Sequence, residues 1–126
     1  MSNEIDQKNV LGENLEECSV DPITGWLRDG CCNTNEVDHG VHTVCAQVTT
    51  KFLEWAKIAG NDLITSHPEV DFPGLKNGDS WCVCADTYSQ SIEAGTACKI
   101  FLKKTNYKTL KIISLEKLKK YAIDLS

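Results

Sequence analysis

Two short runs concentrate the sulfur of this sequence: "RDGCC" from Arg28 to Cys32 and "WCVC" from Trp81 to Cys84. With Cys18, Cys45 and Cys98 they make seven cysteines in 126 residues. Cysteine sulfur does two kinds of chemistry, coordination of thiophilic metals and nucleophilic or redox attack, and each constrains spacing differently. Local geometry disfavours a disulfide inside either run. Adjacent Cα atoms lie about 3.8 Å apart, below the usual disulfide window of about 4.4 to 6.8 Å, so a bond from Cys31 to Cys32 is strained. In a strand, Cys82 and Cys84 share a face, but with Cα atoms about 6.6 Å apart and parallel side chains they are poorly placed to bond. Each pair is expected to face something else, or the other pair.

A metal centre needs three or four deprotonated ligands converging from separate segments. Cys31 or Cys32, Cys45, Cys82 and Cys84, with His42 or His39 in reserve, have the chemistry of a tetrahedral zinc site. The two-residue spacer of a zinc knuckle is absent, and vicinal cysteines seldom both reach one ion. A thiol enzyme or redox protein asks instead for an exposed thiolate near positive charge. Arg28, the only arginine of the chain, precedes Cys31 by three residues, so Cys31 or Cys32 is the candidate nucleophile, with His42 or His39 as base and Asp29 or Asp62 to orient it. The third reading is burial without chemistry, in a structural or adaptor domain. Cysteine packs as a small hydrophobe, and Cys45, Cys82 and Cys84 lie in apolar runs, whereas Cys31 and Cys32 lie in a polar loop with no evident core.

These groups must be held by a fold, and the chain is long enough to build a core without a metal or disulfide. A 41% hydrophobic and 25% charged composition is that of a globular domain. No basic and apolar leader opens the sequence and no run reaches membrane-spanning length, so the cytoplasm is the default address and the cysteines are expected as thiols, ligands or transient redox partners. Residues 1 to 95 carry 5 basic against 16 acidic side chains, and residues 96 to 126 carry 8 lysines against 2 acids. The basic end lacks arginine and interleaved aromatics, which argues against nucleic-acid binding. The expected partner is a small molecule or a metal, and the oligomeric state is not legible.

The positioning elements follow from periodicity. Residues 1–8 read as a flexible start, and "SVDPITGW" as a turn organised by Asp21 and Pro22. "CCNTNEVDHG" reads as a long polar loop. "VHTVCAQV" has strand character, and "KFLEWAKIA" is a helix capped by Thr49 or Thr50 and stopped at Gly60, with Phe52, Trp55, Ala56 and Ala59 on one face. With Thr49 as cap, Val48 and Leu53 make a hydrophobic staple. Asn77 and Gly78 turn the chain into the "WCVCA" strand, and Asp79 reads as a turn acceptor. Thr87 and Gln90 read as the capping box of a helix that ends at Gly95. "CKIFLKK" and "TLKII" look like two strands, followed by a helix capped by Ser114 in which Glu116 can pair with Lys120. The expectation is one α+β domain over residues 9–126, with a small mixed or antiparallel sheet, about three helices and long N-terminal loops.

Taken together, "NVLG", "CSVDPITGWLRDGCC", "GVHTVCAQVTTKFLEWAKIAGNDL", "DFPGLKNGDSWCVCA" and "IEAGTA" resemble the bacterial family called domain of unknown function 2237, from about Asn9 to Ala122. The resemblance implies no particular activity, substrate or cofactor. It implies which positions matter: Cys18, Arg28, Asp29, Cys31, Cys32, His42, Cys45, Asn61, Asp62, Asp79, Trp81, Cys82 and Cys84 match the family pattern. Cys98 falls where relatives are expected to carry proline, and His39 looks peculiar to this chain. A pattern built of thiols and polar loop groups favours a thiol-lined pocket that binds a thiophilic metal, zinc among them, or a small ligand.

Overall fold

A computed structural model of the chain describes residues 7–35, 38 and 41–124. His39 lies outside the described residues. The centre of the fold is a three-stranded antiparallel sheet in the order β2-β1-β3. Here β1 is His42–Gln47, β2 is Ser80–Cys84 and β3 is Lys99–Ile100. Helices α1 (Thr50–Ile58), α2 (Ala85–Ala94) and α3 (Leu115–Lys119) complete a small α+β domain.

Helix α1 follows its sequence signals. The Thr49 hydroxyl accepts the Phe52 amide at 3.1 Å, satisfying one of the amides that a helix start leaves without a partner. Phe52, Leu53 and Ala56 are its buried residues. Ala59, expected on that face, is exposed because it is the C-cap. Val48 and Leu53 are both buried, as a staple requires. The Asn77 and Gly78 turn also forms: Gly78 donates to the Val48 carbonyl at 2.8 Å, and the Asn77 side chain accepts the Thr50 amide at 2.9 Å. This turn leads into β2, and Asp79 accepts the Lys76 amide at 3.0 Å.

Three expectations fail for identifiable reasons. The capping box from Thr87 to Gln90 does not form, because β2 runs directly into α2 with Cys84 as N-cap, and the Ala85 amide is taken by the Val41 carbonyl at 3.0 Å. The strand over "CKIFLKK" shrinks to two residues. Beyond Ile100 the amides of Leu102 and Lys103 bond the Asp124 carboxylate, at 2.7 and 2.9 Å, instead of a neighbouring strand. "TLKII" is no strand at all: Tyr107–Lys111 is a 3-10 turn, started by the Asn106 side chain accepting the Lys108 amide at 2.9 Å. Asparagine side chains compete with sheet pairing in this way. Ser114 does cap α3, but Glu116 and Lys120 form no ion pair among the described residues.

The main core gathers Val44, Val48, Phe52, Tyr88, Ile100, Leu102 and Leu118 with their neighbours. A second buried cluster consists of sulfur: Cys18, Cys32, Cys45 and Cys82, with Phe101 packed against it. Cys18 is bonded to Cys45 and Cys32 to Cys82, across 27 and 50 residues of sequence. Four of the seven cysteines are therefore bridged rather than thiols, correcting the expectation that no structural disulfide is present. Both bridges join the N-terminal loops to adjacent strands, a long-range pairing that spacing within each run does not reveal.

Between these anchors the loop is organised by polar contacts. Ser19, rather than Asp21, makes the turn, donating to the Pro22 carbonyl at 2.7 Å and accepting the Asp21 amide at 3.2 Å. The buried Thr24 hydroxyl accepts the Cys82 amide at 2.9 Å. Gly25 has a φ of 102°, and a Cβ there would collide with the Cys31 carbonyl. Gly60 has a similar φ of 101° with open space around it. Gly60→Ala is expected to cost about 1 to 2 kcal/mol, the penalty of left-handed backbone alone. Gly25→Ala is expected to cost about 2 to 5 kcal/mol, because steric displacement of the loop adds to that penalty. Urea midpoints of the two variants measure the difference.

Candidate functional site

A cleft of about 390 Å³ opens where the first loop, the β1 and β2 ends and the segment after α1 meet. Its lining includes Trp26, Arg28, His42, Asn61, Asp62, Trp81 and Cys84. Seven of the residues singled out from the sequence therefore converge: Arg28, His42, Asn61, Asp62, Trp81, Cys82 and Cys84. Asn61 also reaches the Thr87 hydroxyl at 3.5 Å.

His42 opens β1 directly opposite Cys84 at the end of β2, next to an irregularity in the ladder between His42 and Val44. Cross-strand partners in an antiparallel pair present neighbouring side chains on one face. The imidazole Nδ1 lies 2.6 Å from Oδ1 of Asp38, whose side chain is fully buried, while 39% of the His42 side chain is exposed. Oδ2 of Asp38 accepts the His42 amide and the Thr34 hydroxyl, each at 2.8 Å. An ionised carboxylate only accepts, so Nδ1 carries a proton, and in the neutral ring Nε2 is then the nitrogen with the free lone pair. The ring stacks on Trp26, with centroids 5.7 Å apart and planes 13° from parallel.

Burial alone would raise the Asp38 pKa, but hydrogen bonds from the His42 amide and ring and from Thr34 outweigh it, leaving the carboxyl below its ordinary range. The backbone is forced here as well. Val41 has a φ of 53° and Arg28 one of 56°, and left-handed backbone at a β-branched residue is uncommon and strained. That turn lets the Asp38 carbonyl accept the Val41 amide while its side chain accepts His42.

Arg28 turns away from Cys31: its guanidinium sits over the Trp81 ring at 5.7 Å, and Nη1 reaches the Ile23 carbonyl at 3.4 Å. Cys31 is half-buried, and burial, then the charges of Asp29 and Glu17, push its thiol pKa up. That is the opposite of an activated nucleophile. Cys32 is locked in its bridge to Cys82. Asp29 and Asp62 do not orient His42. Asp29 accepts the Cys31 amide at 3.0 Å and the Asn33 side chain at 2.8 Å. Asp62 accepts from Thr65 and Ile64, whose bonds, the Thr65 hydroxyl first, hold its carboxyl at about 2.

The candidate metal ligands are divided in the same way. Cys32, Cys45 and Cys82 lie in the buried sulfur cluster, His42 and Cys84 line the cleft, and Cys31 sits apart beside Asp29 and Glu17. Cys98 is buried and pushed up to about 12 by desolvation. Sequence reasoning missed Asp38, Trp26 and the bridging role of Cys18. For Asp38 a signal existed: a carboxylate four residues before His42 in the sequence.

A family model described as "Uncharacterized protein conserved in bacteria (DUF2237)" matches residues 8–122. A search of curated proteins found no match. The chain belongs to this family.

The lowered Asp38 pKa carries a sign. Its contribution to stability is complete above the ordinary aspartate value of about 3.9 and is lost as pH falls through the lower folded value. Asp38→Asn is expected to lower stability at pH 7 by about 1 to 3 kcal/mol and to flatten the acid limb below about pH 4. Denaturant titrations at pH 7 and pH 3 measure both effects. The raised Cys31 thiol is expected to react with iodoacetamide more slowly at pH 7 than an unstructured cysteine peptide, as followed by peptide mass mapping.

Proposed function

We propose that this family member is a thiol-dependent enzyme acting on a small polar or anionic molecule bound in the cleft. Cys84 is the nucleophile, His42 the base and Asp38 the residue that positions the base. The carrying observation is the buried Asp38 carboxylate 2.6 Å from His42 Nδ1, in a cleft that His42 shares with its cross-strand partner Cys84.

The roles follow from the chemistry of each group. With Nδ1 donating to Asp38, Nε2 takes the Cys84 thiol proton as sulfur bonds to an electrophilic carbon of the substrate, and the leaving group departs with the bonding pair. Cys84 is also the N-cap residue of α2, so its backbone stands at the positive end of the helix dipole. Arg28 supplies positive charge for an anionic group, and its stacking on Trp81 keeps the guanidinium on the cleft wall. Trp26 and Trp81 offer flat apolar surface for the remainder of the ligand. Forced backbone at Arg28 and Val41 fits this reading, since such strain persists where surrounding structure holds a site in shape.

Initial-rate labelling with iodoacetamide at pH 7, located by peptide mass mapping, tests the assignment with an electrophile of known leaving group. Cys84 is expected to react at least about tenfold faster than Cys31, and His42→Ala or Asp38→Asn to lower the Cys84 rate by about tenfold or more. Equal reactivity of Cys84 and Cys31, or a Cys84 rate indifferent to His42→Ala, would overturn the reading.

A further inference from the structure

We propose that the buried sulfur cluster is a second site, adjoining the cleft: when reduced, Cys18, Cys32, Cys45 and Cys82 bind one zinc ion as a tetrathiolate. The sulfurs of Cys18, Cys32 and Cys82 all lie within 4.8 Å of one another, although Cys18 and Cys32 belong to different bridges. A tetrahedral zinc site with Zn–S bonds of about 2.3 Å places its sulfurs about 3.8 Å apart. Convergence on an ion therefore asks each of these three sulfurs to move by about an ångström or less, within reach of side-chain rotation. Cys45 supplies the fourth corner: it is bonded to Cys18 and is the cross-strand partner of Cys82.

The scaffold around these sulfurs does not consist of the bridges alone. The Cys82 amide donates to the Thr24 hydroxyl at 2.9 Å and the Cys45 amide to the Thr105 hydroxyl at 3.1 Å. On the loop side, Cys18 donates to the Gly30 carbonyl at 2.7 Å, and the Cys32 carbonyl accepts the Asn106 side chain at 3.1 Å. All four positions thus keep a backbone anchor once the sulfur bonds open. Four thiolates on a divalent ion leave a net negative charge, and one cation on this side is Lys104, whose ammonium sits 4.5 Å from the ring centre of Phe101, the aromatic packed on the cluster.

Each bridge takes two electrons and two protons from a dithiol reductant, which leaves as its disulfide. The four thiols then release four protons as zinc binds. Oxidation of the loaded site reverses the sequence: an oxidant removes two electrons from each sulfur pair, the bridges re-form and the ion is expelled. The same four residues thereby close the loop onto the sheet in oxidising conditions by covalent bonds and in reducing conditions by coordination.

The test uses the full chain carrying Cys31→Ser, Cys84→Ser and Cys98→Ser, so that only the four cluster thiols remain. After reduction with dithiol and anaerobic desalting, it is titrated with cobalt(II) chloride in buffer and in urea. Expected are one cobalt per chain, thiolate-to-cobalt charge-transfer absorption with the intense d–d bands of tetrahedral geometry, and displacement by one equivalent of zinc. Affinity in buffer is expected to exceed that in urea by at least about 100-fold, because folding brings the ligands together. Diamide is expected to release the metal. Absence of stoichiometric uptake, a spectrum without thiolate bands, or equal affinity in buffer and urea would overturn the proposal, whether or not the reduced metal-free chain retains its far-ultraviolet circular dichroism. The labelling of Cys84 is a separate experiment, so either assignment can fail alone.

Discussion

The architecture depends on one covalent constraint: two neighbouring strand cysteines each hold one end of the first long loop. Cys45 and Cys82 oppose each other in the ladder between β1 and β2, yet they are not bonded to each other. They reach outward to Cys18 and Cys32. Closing loops of 27 and 50 residues removes chain entropy equivalent to roughly 3 to 4 kcal/mol for each bridge taken separately. That is a large share of the roughly 5 to 15 kcal/mol that keeps an ordinary domain folded. The segment so tied down has few apolar anchors of its own. The buried side chains within it and just after it include Thr24, Asn33, Thr34 and Asp38, polar groups that stabilise a fold only when their hydrogen bonds are made.

The cleft is a consequence of that attachment. With Cys32 held against β2, the following residues deliver Thr34 and Asp38 to the start of β1, where Asp38 collects three hydrogen bonds from Thr34 and His42. With Cys18 held against β1, the turn that follows it brings Trp26 onto the His42 ring and Arg28 onto Trp81. The left-handed backbone at Val41 and Arg28 is local strain that the bridges and the Asp38 bonds offset. Sulfur cluster and cleft also share a wall, since Cys82 lines the cleft while its side chain joins Cys32.

Much of the frame was legible because it rests on local chemistry. Thr49, Gly60, Asn77, Gly95 and Ser114 mark turns or helix ends that form as their side chains and backbone freedom require. The failures share a cause. "CKIFLKK" and "TLKII" read as strands, but Asp124 takes the Leu102 and Lys103 amides that a ladder would need, and Asn106 takes that of Lys108 to start a 3-10 turn. Thr87 has the type and spacing of a helix cap, but β2 continues into α2 before the chain reaches it. In each case a competing side chain, distant in sequence for Asp124 and adjacent for Asn106, or an element already running overrode the expected pattern.

The site divides along the same line. Residue types and short-range geometry determined that neither cysteine run bonds internally, that the domain is α+β, and that Arg28, His42 and the paired cysteines are the chemically interesting groups. Those conclusions need only bond lengths, strand pleat and side-chain chemistry, all of which act over a few residues. Only the tertiary structure decided that Cys32 meets Cys82, that Cys18 meets Cys45, and that the thiol beside His42 is Cys84 rather than Cys31. Pairing across 27 to 50 residues depends on which loop ends pack against which strands. That choice is made by the whole fold lowering its free energy at once, so no short stretch of the sequence contains it.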